Sequence, residues 1–288
     1  MFEDFPYVWF SVSGVRTPFY VPPLVAFVIS TLTSTGGVSG AFLLLPFQLS
    51  YLKFTSPAVS STNLVYNLVA IPSGVHRYIR EGRMAWPLTF IVILGTLPGV
   101  FAGYYIRVWL LPDPLNFKVF VGSVLLYLGL RLVYDASGRG RIRSEANRAL
   151  EEKFKAEVRN ARADRAGQIR AGIPPEAVVR TVSLTAQSVV YEFWGERFRF
   201  STPAMFALAL AVGMVGGAYG IGGGAIIAPI CVALFDLPVY TVAGAALLGT
   251  FLTSIAGVAF YSLVPLSTGG TYAPDWLLGI LFGLGGVP

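Results

Sequence analysis

Residues Ser34–Pro46 read STGGVSGAFLLLP, and 183 positions later Gly217–Pro229 read GAYGIGGGAIIAP. At that one offset, without a gap, Gly37 falls on Gly220, Gly40 on Gly223 and Pro46 on Pro229. The register persists downstream, where Val59 meets Val242, Leu64 meets Leu247, Gly74 meets Gly257 and Tyr78 meets Tyr261. The chain therefore carries an internal duplication. Both copies are apolar stretches interrupted by glycine, and paired interruptions in two halves of a membrane protein point to a transport site.

Composition fixes the solvent. Hydrophobic residues make up 55% of the 288 and charged residues 12%, where a soluble domain carries about a quarter charged; mean hydropathy is +0.66. Apolar runs at 21–51, 58–75, 84–111, 117–134, 203–235 and 239–263 are long enough to enter a bilayer core, which takes roughly 20 apolar residues per helix. The expectation is a multi-pass protein of the plasma membrane. The start shows no short hydrophobic stretch with a small-residue cleavage site, so no removable signal peptide is expected.

The net charge of +6 does not imply nucleic acid. Thirteen of the 21 Lys and Arg lie between Arg139 and Arg199, together with eight acids, and Arg77, Arg80 and Arg83 crowd one short connection. Basic residues collect in cytoplasmic loops, so both segments are expected inside the cell, and no nucleic-acid-binding motif accompanies them. Cys231 is the single cysteine; it forms no internal disulfide and is expected to pack between helices.

Four parts follow: a lead-in at 1–20, a first membrane repeat at 21–135, a polar cytoplasmic insert at 136–200 and a second repeat at 201–288. In the insert, Ile142, Ala146, Leu150, Phe154 and Val158 recur every four residues among charges, as one stripe of an amphipathic helix does. Beyond the turn at Gly172–Pro175, VVRTVSLT and SVVYEFWGERFRF are β-branched and aromatic, which predicts a small β-hairpin element turning at Gly195.

The stretch 21–51 would be ~46 Å long as one straight helix, against a hydrocarbon core of ~30 Å. Glycines near its middle (Gly36, Gly37, Gly40), and Gly220 with Gly222–Gly224 in the second copy, admit backbone angles closed to other residues. The fold class expected is thus an all-α polytopic membrane protein whose repeats each begin with a glycine-broken re-entrant hairpin. Three crossings per repeat then make the repeats inverted, with the connection at 263–275, which lacks Lys and Arg, outside. Full crossings would make them parallel; the charge distribution favours inversion.

Inversion would bring two half-helix N-termini together near the midplane, where backbone N–H groups and a positive dipole end form an anion site. The substrate-binding set expected is Thr35, Gly36, Gly37, Ser39, Gly40, Asn63, Gly220, Gly222, Gly223 and Gly224. Close helix packing is the competing role for such small residues, and the one expected of Gly95, Gly99 and Gly103 at four-residue spacing. Lys53, Arg107, Lys118, Arg131 and Asp236 all fall near the predicted ends of apolar runs, which argues against a buried proton relay. His76, the only histidine, stands at the cytoplasmic end of its run beside Arg77.

The twin segments GGVSGAFLLLP and GIGGGAIIAP, each followed by an apolar helix and separated by a polar insert, resemble the TauE/SafE sulfite exporter family of membrane permeases. The resemblance covers 21–135 and 201–288 and carries over Gly37, Gly40, Pro46, Gly220, Gly223 and Pro229. It implies export of a small sulfur-containing anion such as sulfite or sulfoacetate. Partners implied are a small inorganic or organosulfur anion and membrane lipid; no cofactor, metal or catalytic residue is called for, and oligomeric state is left open, a homo-oligomer included. The second repeat stops at Pro288 with no counterpart of the run 117–134, so a truncated chain is expected.

Two other functions fit parts of the sequence. Gly37-Val38-Ser39-Gly40 reads GxSG and His76 could serve as its base, as in an intramembrane serine protease; against this, the counterpart of Ser39 is Gly222. A membrane scaffold using the basic insert is the other. A nucleotide-driven pump is disfavoured, since neither glycine segment ends in Gly-Lys-Ser/Thr.

Overall fold

The computed structural model describes residues 6–34, 39–136, 147, 149–150, 152–153, 156, 178–263 and 272–287. It is mostly helical. An N-terminal hairpin, β1 (Tyr7–Phe10) and β2 (Val15–Pro18), leads into α1 (Val21–Ser34), α2 (Ala41–Ser50), α3 (Ala58–Ala70), α4 (Pro72–Arg80), α5 (Trp86–Tyr105) and α6 (Pro114–Ala136). After the insert come β3 (Val179–Leu184), β4 (Ser188–Phe193) and β5 (Glu196–Ser201), then α7 (Thr202–Tyr219), α8 (Ile227–Phe235), α9 (Val239–Leu263) and α10 (Trp276–Gly286). Three of these are long and apolar enough to cross a membrane: α5 with its π-helical extension (Trp86–Leu110), α7 and α9.

Both glycine segments break their helices. In the second, Gly220 closes α7 in the left-handed region at φ 87°, its N–H donating to the Gly216 carbonyl, a helix stop that glycine reaches without a Cβ penalty. Gly222 follows at φ 80°. Pro72 sits in the first turn of α4, so the run 58–75 bends there and α3 and α4 are separate helices.

The packing obeys the 183-residue offset. It maps α1 onto α7, α3 onto α9, and the α5 window onto that of α10. Helix α5, from the first half, packs on α7 and α9 of the second; α10, from the second half, packs on α1 and α3 of the first. The remaining central contact joins α3 to its own counterpart α9.

Small residues permit this closeness. Gly95, Gly99 and Gly103 of α5 face Ala209, Gly213 and Gly217 of α7, and a Cβ at Gly213 would stand 2.6 Å from the Thr96 carbonyl oxygen. In membranes such small-residue seams supply van der Waals contact where no hydrophobic drive separates helix from lipid. Cys231 is buried 3.6 Å from the Met205 sulfur. Helix α6 buries Phe117 and Val121 yet exposes Leu115, Val119, Leu126, Leu130 and Val133.

Strands β3, β4 and β5 form an antiparallel sheet in that order, with Tyr191 opposite Phe198 and Val189 opposite Phe200. Alternation buries Val189, Tyr191 and Phe193 on one face. The Tyr191 hydroxyl meets Thr241 of α9 at 2.8 Å, and burial pushes its phenol well above the ordinary range. Trp194 and Gly195 turn the β4–β5 hairpin with positive φ. Leu150 is buried, and Lys153 pairs with Glu196 at 2.7 Å; Ile142, Ala146, Phe154 and Val158 lie outside the described residues.

Candidate functional site

Ser60, Asn63, Asn67 and Ala70 follow one another at spacings of three and four, which places them along one face of α3, and Gly74 and Arg77, three apart, share a face of the next helix, α4. Ser60, Asn63 and Asn67 are completely buried. Buried amides must be hydrogen-bonded, and here their partners are the glycine segments. Asn63 Nδ2 donates to the carbonyls of Ala41 (2.9 Å) and Gly220 (3.0 Å), while its Oδ1 accepts from Gln48 Nε2 at 3.1 Å. Asn67 Nδ2 donates to the Ile221 carbonyl (2.9 Å) and Ser254 Oγ (3.1 Å), and its Oδ1 accepts from Ser39 Oγ at 3.0 Å. The two asparagines thus clamp both breaks to the central helix.

Of the expected site residues, Thr35, Gly36 and Gly37 lie outside the described residues. Ser39 and Gly40 line a cavity of about 580 Å³. Gly220, Gly222, Gly223 and Gly224 are buried and packed against neighbouring helices rather than on that cavity. A Cβ at Gly222 would stand 2.9 Å from Ser254 Oγ, and one at Gly224 2.7 Å from Thr250 Oγ1. The Gly223 N–H, expected to be free, donates to Thr253 Oγ1 at 2.8 Å; at the first break Ala41 N donates to Ser39 Oγ at 3.3 Å and Phe42 N to the Ser39 carbonyl at 3.2 Å. Side-chain hydroxyls and carbonyls of the same protein compete for these donors, so they are engaged in this conformation.

The cavity runs from the Ser39–Gly40 break past Tyr66, Ser73 and Gly74 to Arg77, with Ser30 and Thr33 of α1, Ala243 and Leu247 of α9 and Gly285 and Gly286 of α10 among its other walls. Tyr66 and Ser30 hydroxyls meet at 2.8 Å on its wall. Arg77 is largely exposed and pairs with Glu81 at 2.9 Å; that hydrogen bond raises its guanidinium above the ordinary value, so it is a cation at every working pH. A cavity lined by hydroxyls, with a cation at its mouth, attracts anions. Arg77→Gln is expected to raise the half-saturating anion concentration several-fold at low ionic strength, an effect that fades by about 0.5 M salt; concentration-dependent uptake at two salt levels checks this.

One charged residue at the end of a run is enclosed, which the sequence does not tell. Arg107, read as lying at the end of an apolar run, is fully buried in the π-helical turn Ile106–Leu110. Position along a run does not tell which face is enclosed; here Ser60, Phe117 and the Leu111 carbonyl close over the side chain.

Ser39 gives no support to proteolysis: its hydroxyl donates to Asn67, His76 is exposed, and no serine–histidine contact exists among the described residues. Three apolar spans around a buried polar seam are the build of a helical membrane permease. A family model described as Sulfite exporter TauE/SafE matches residues 23–288, and the chain belongs to that family of membrane transporters. No curated protein and no solved structure matches it.

Proposed function

We propose that the chain exports a small sulfur-containing oxyanion, of the sulfite or sulfoacetate kind, across the plasma membrane. The observation that carries this reading is the cavity joining the Ser39–Gly40 break to the Arg77 cation. The two repeats are inverted, each glycine-broken pair of helices entering and leaving on one side; the exchange of helix partners between halves and the basic loop at Arg77, Arg80 and Arg83 support that arrangement. Arg77 and the insert then face the cytoplasm, and the exposed apolar face of α6 meets lipid. The anion enters past Arg77 and is held by the hydroxyls that line the cavity beside the Ser39–Gly40 break. Rocking of one repeat against the other releases it outside. Efflux of an anion from a negative interior gains about 2.3 kcal/mol per charge per 100 mV.

Proteoliposomes tested with sulfite, sulfate, sulfoacetate, thiosulfate and chloride decide the matter. The expected result is saturable flux of one or more sulfur oxyanions and little of chloride. Deleting 140–170 is expected to leave that flux largely intact; its loss, with the chain still folded, would favour a role centred on the insert.

A further inference from the structure

The polar seam of α3 and α4 has a cation at each end. Arg77 stands at the cavity mouth, and Ser60, seventeen residues earlier and ~25 Å away along the helices, holds Arg107. The Arg107 Nε donates to Ser60 Oγ at 3.3 Å, Nη1 donates to the Leu111 carbonyl, and the guanidinium carbon lies 3.8 Å from the Phe117 ring centroid. Its Nη2 is buried and has no hydrogen-bond partner. Among the described residues no carboxylate forms an ion pair with it.

A guanidinium enclosed without a counter-ion is unfavourable in a low-dielectric interior. It is retained at a cost that a purely structural residue would not need, since an apolar side chain of similar volume would fill the space. Ser60, which holds Arg107, also reaches the second glycine segment: its hydroxyl donates to the Ala218 carbonyl at 3.4 Å, and the Tyr261 hydroxyl donates to the Gly217 carbonyl at 3.3 Å. The planar fork, with the donors of Nη2 unused, can hydrogen-bond a sulfur oxyanion.

Resting on the transporter reading above, we propose that Arg107 is a second anion-binding station, taking the oxyanion on Nη2 on the far side of the Asn67 and Asn63 clamp from the cavity. The described conformation is open at Arg77 and shut at Arg107, as alternating access requires of two stations that are never exposed together.

The test uses the full chain in proteoliposomes, with sulfite applied from either side, and thermal melting of the same protein in detergent. Arg107→Met removes the charge while keeping length. It is expected to melt at or above wild type, because a buried unpaired charge is lost, and to lower sulfite efflux by about tenfold or more. The half-saturating concentration should rise on the Arg107 side only, a sided effect that a packing role does not produce. Should Arg107→Met fail to fold, Arg107→Lys is read instead: it keeps the charge, loses the fork, and is expected to cost about tenfold on the same side. Wild-type efflux and unchanged half-saturation in whichever variant folds overturn the station while leaving the transporter reading intact. A wild-type protein that moves no anion overturns both.

Discussion

Asn63→Ala is expected to destabilise the protein by about 2–4 kcal/mol and to reduce anion flux severely. Three hydrogen bonds are lost at once, to the Gln48 amide and to the Ala41 and Gly220 carbonyls. Each is worth about 0.6–1.7 kcal/mol between membrane helices, and the partners left behind are buried. Gln48 suffers most, because its Oε1 already has no partner and its Nε2 would lose the one it has. The flux loss follows from geometry: with the Asn63 bonds gone, Ala41 and Gly220 are released from α3, and Asn67 alone ties the two breaks to it through Ser39 and Ile221. Denaturant unfolding in detergent reads the first effect and proteoliposome flux the second. Melting and flux equal to wild type would show that the clamp does not hold the breaks.

Gly220→Ala carries the second large effect, about 2–5 kcal/mol of destabilisation. Two costs add. A non-glycine residue in the left-handed region costs about 1–2 kcal/mol, and the backbone there is at φ 87°. Overpacking adds about 1–3 kcal/mol, since the new Cβ would stand 2.5 Å from Ser60 Cα, a backbone atom of α3 that cannot rotate away. Gly14→Ala separates the terms: its φ is 67° with nothing within 4 Å of the new Cβ, so only the backbone cost of about 1–2 kcal/mol applies. Equal melting of the two variants would remove the packing half of the argument.

The duplication was legible because it is written in glycine, proline and apolar residues that keep one register, and the helix pairings follow that register. The helix break at Gly220 was legible because the run is too long for one straight crossing and its glycines cluster near the middle. The fate of the second glycine segment was not. Sequence shows that Gly222 replaces Ser39 but not that Ser254 stands 2.9 Å from where its Cβ would be, leaving room only for hydrogen. Ser39 and Ser254 both bond Asn67, so the hydroxyl that the second break lacks is supplied from α9. Such substitution across elements far apart in the chain leaves no local signal.

Arg107 escaped for a related reason. Burial is decided by what closes over a side chain, and Ser60 and Phe117 arrive from α3 and α6. The lead-in, read only as aromatic and proline-containing, forms a hairpin whose Ser13 N–H donates to the Asp275 carboxylate at 3.0 Å, the same group that caps α10 through Leu278 N at 3.2 Å. A contact between the two ends of the chain cannot be read from either alone.

Sulfite efflux from proteoliposomes carrying wild type or Ala243→Trp, compared at equal protein content and matched melting temperature, tests most directly whether the cavity is the anion's path. Ala243 lines that cavity from α9, and an indole there would obstruct it. Saturable efflux in wild type and background efflux in Ala243→Trp is the result predicted; equal efflux from both would contradict it.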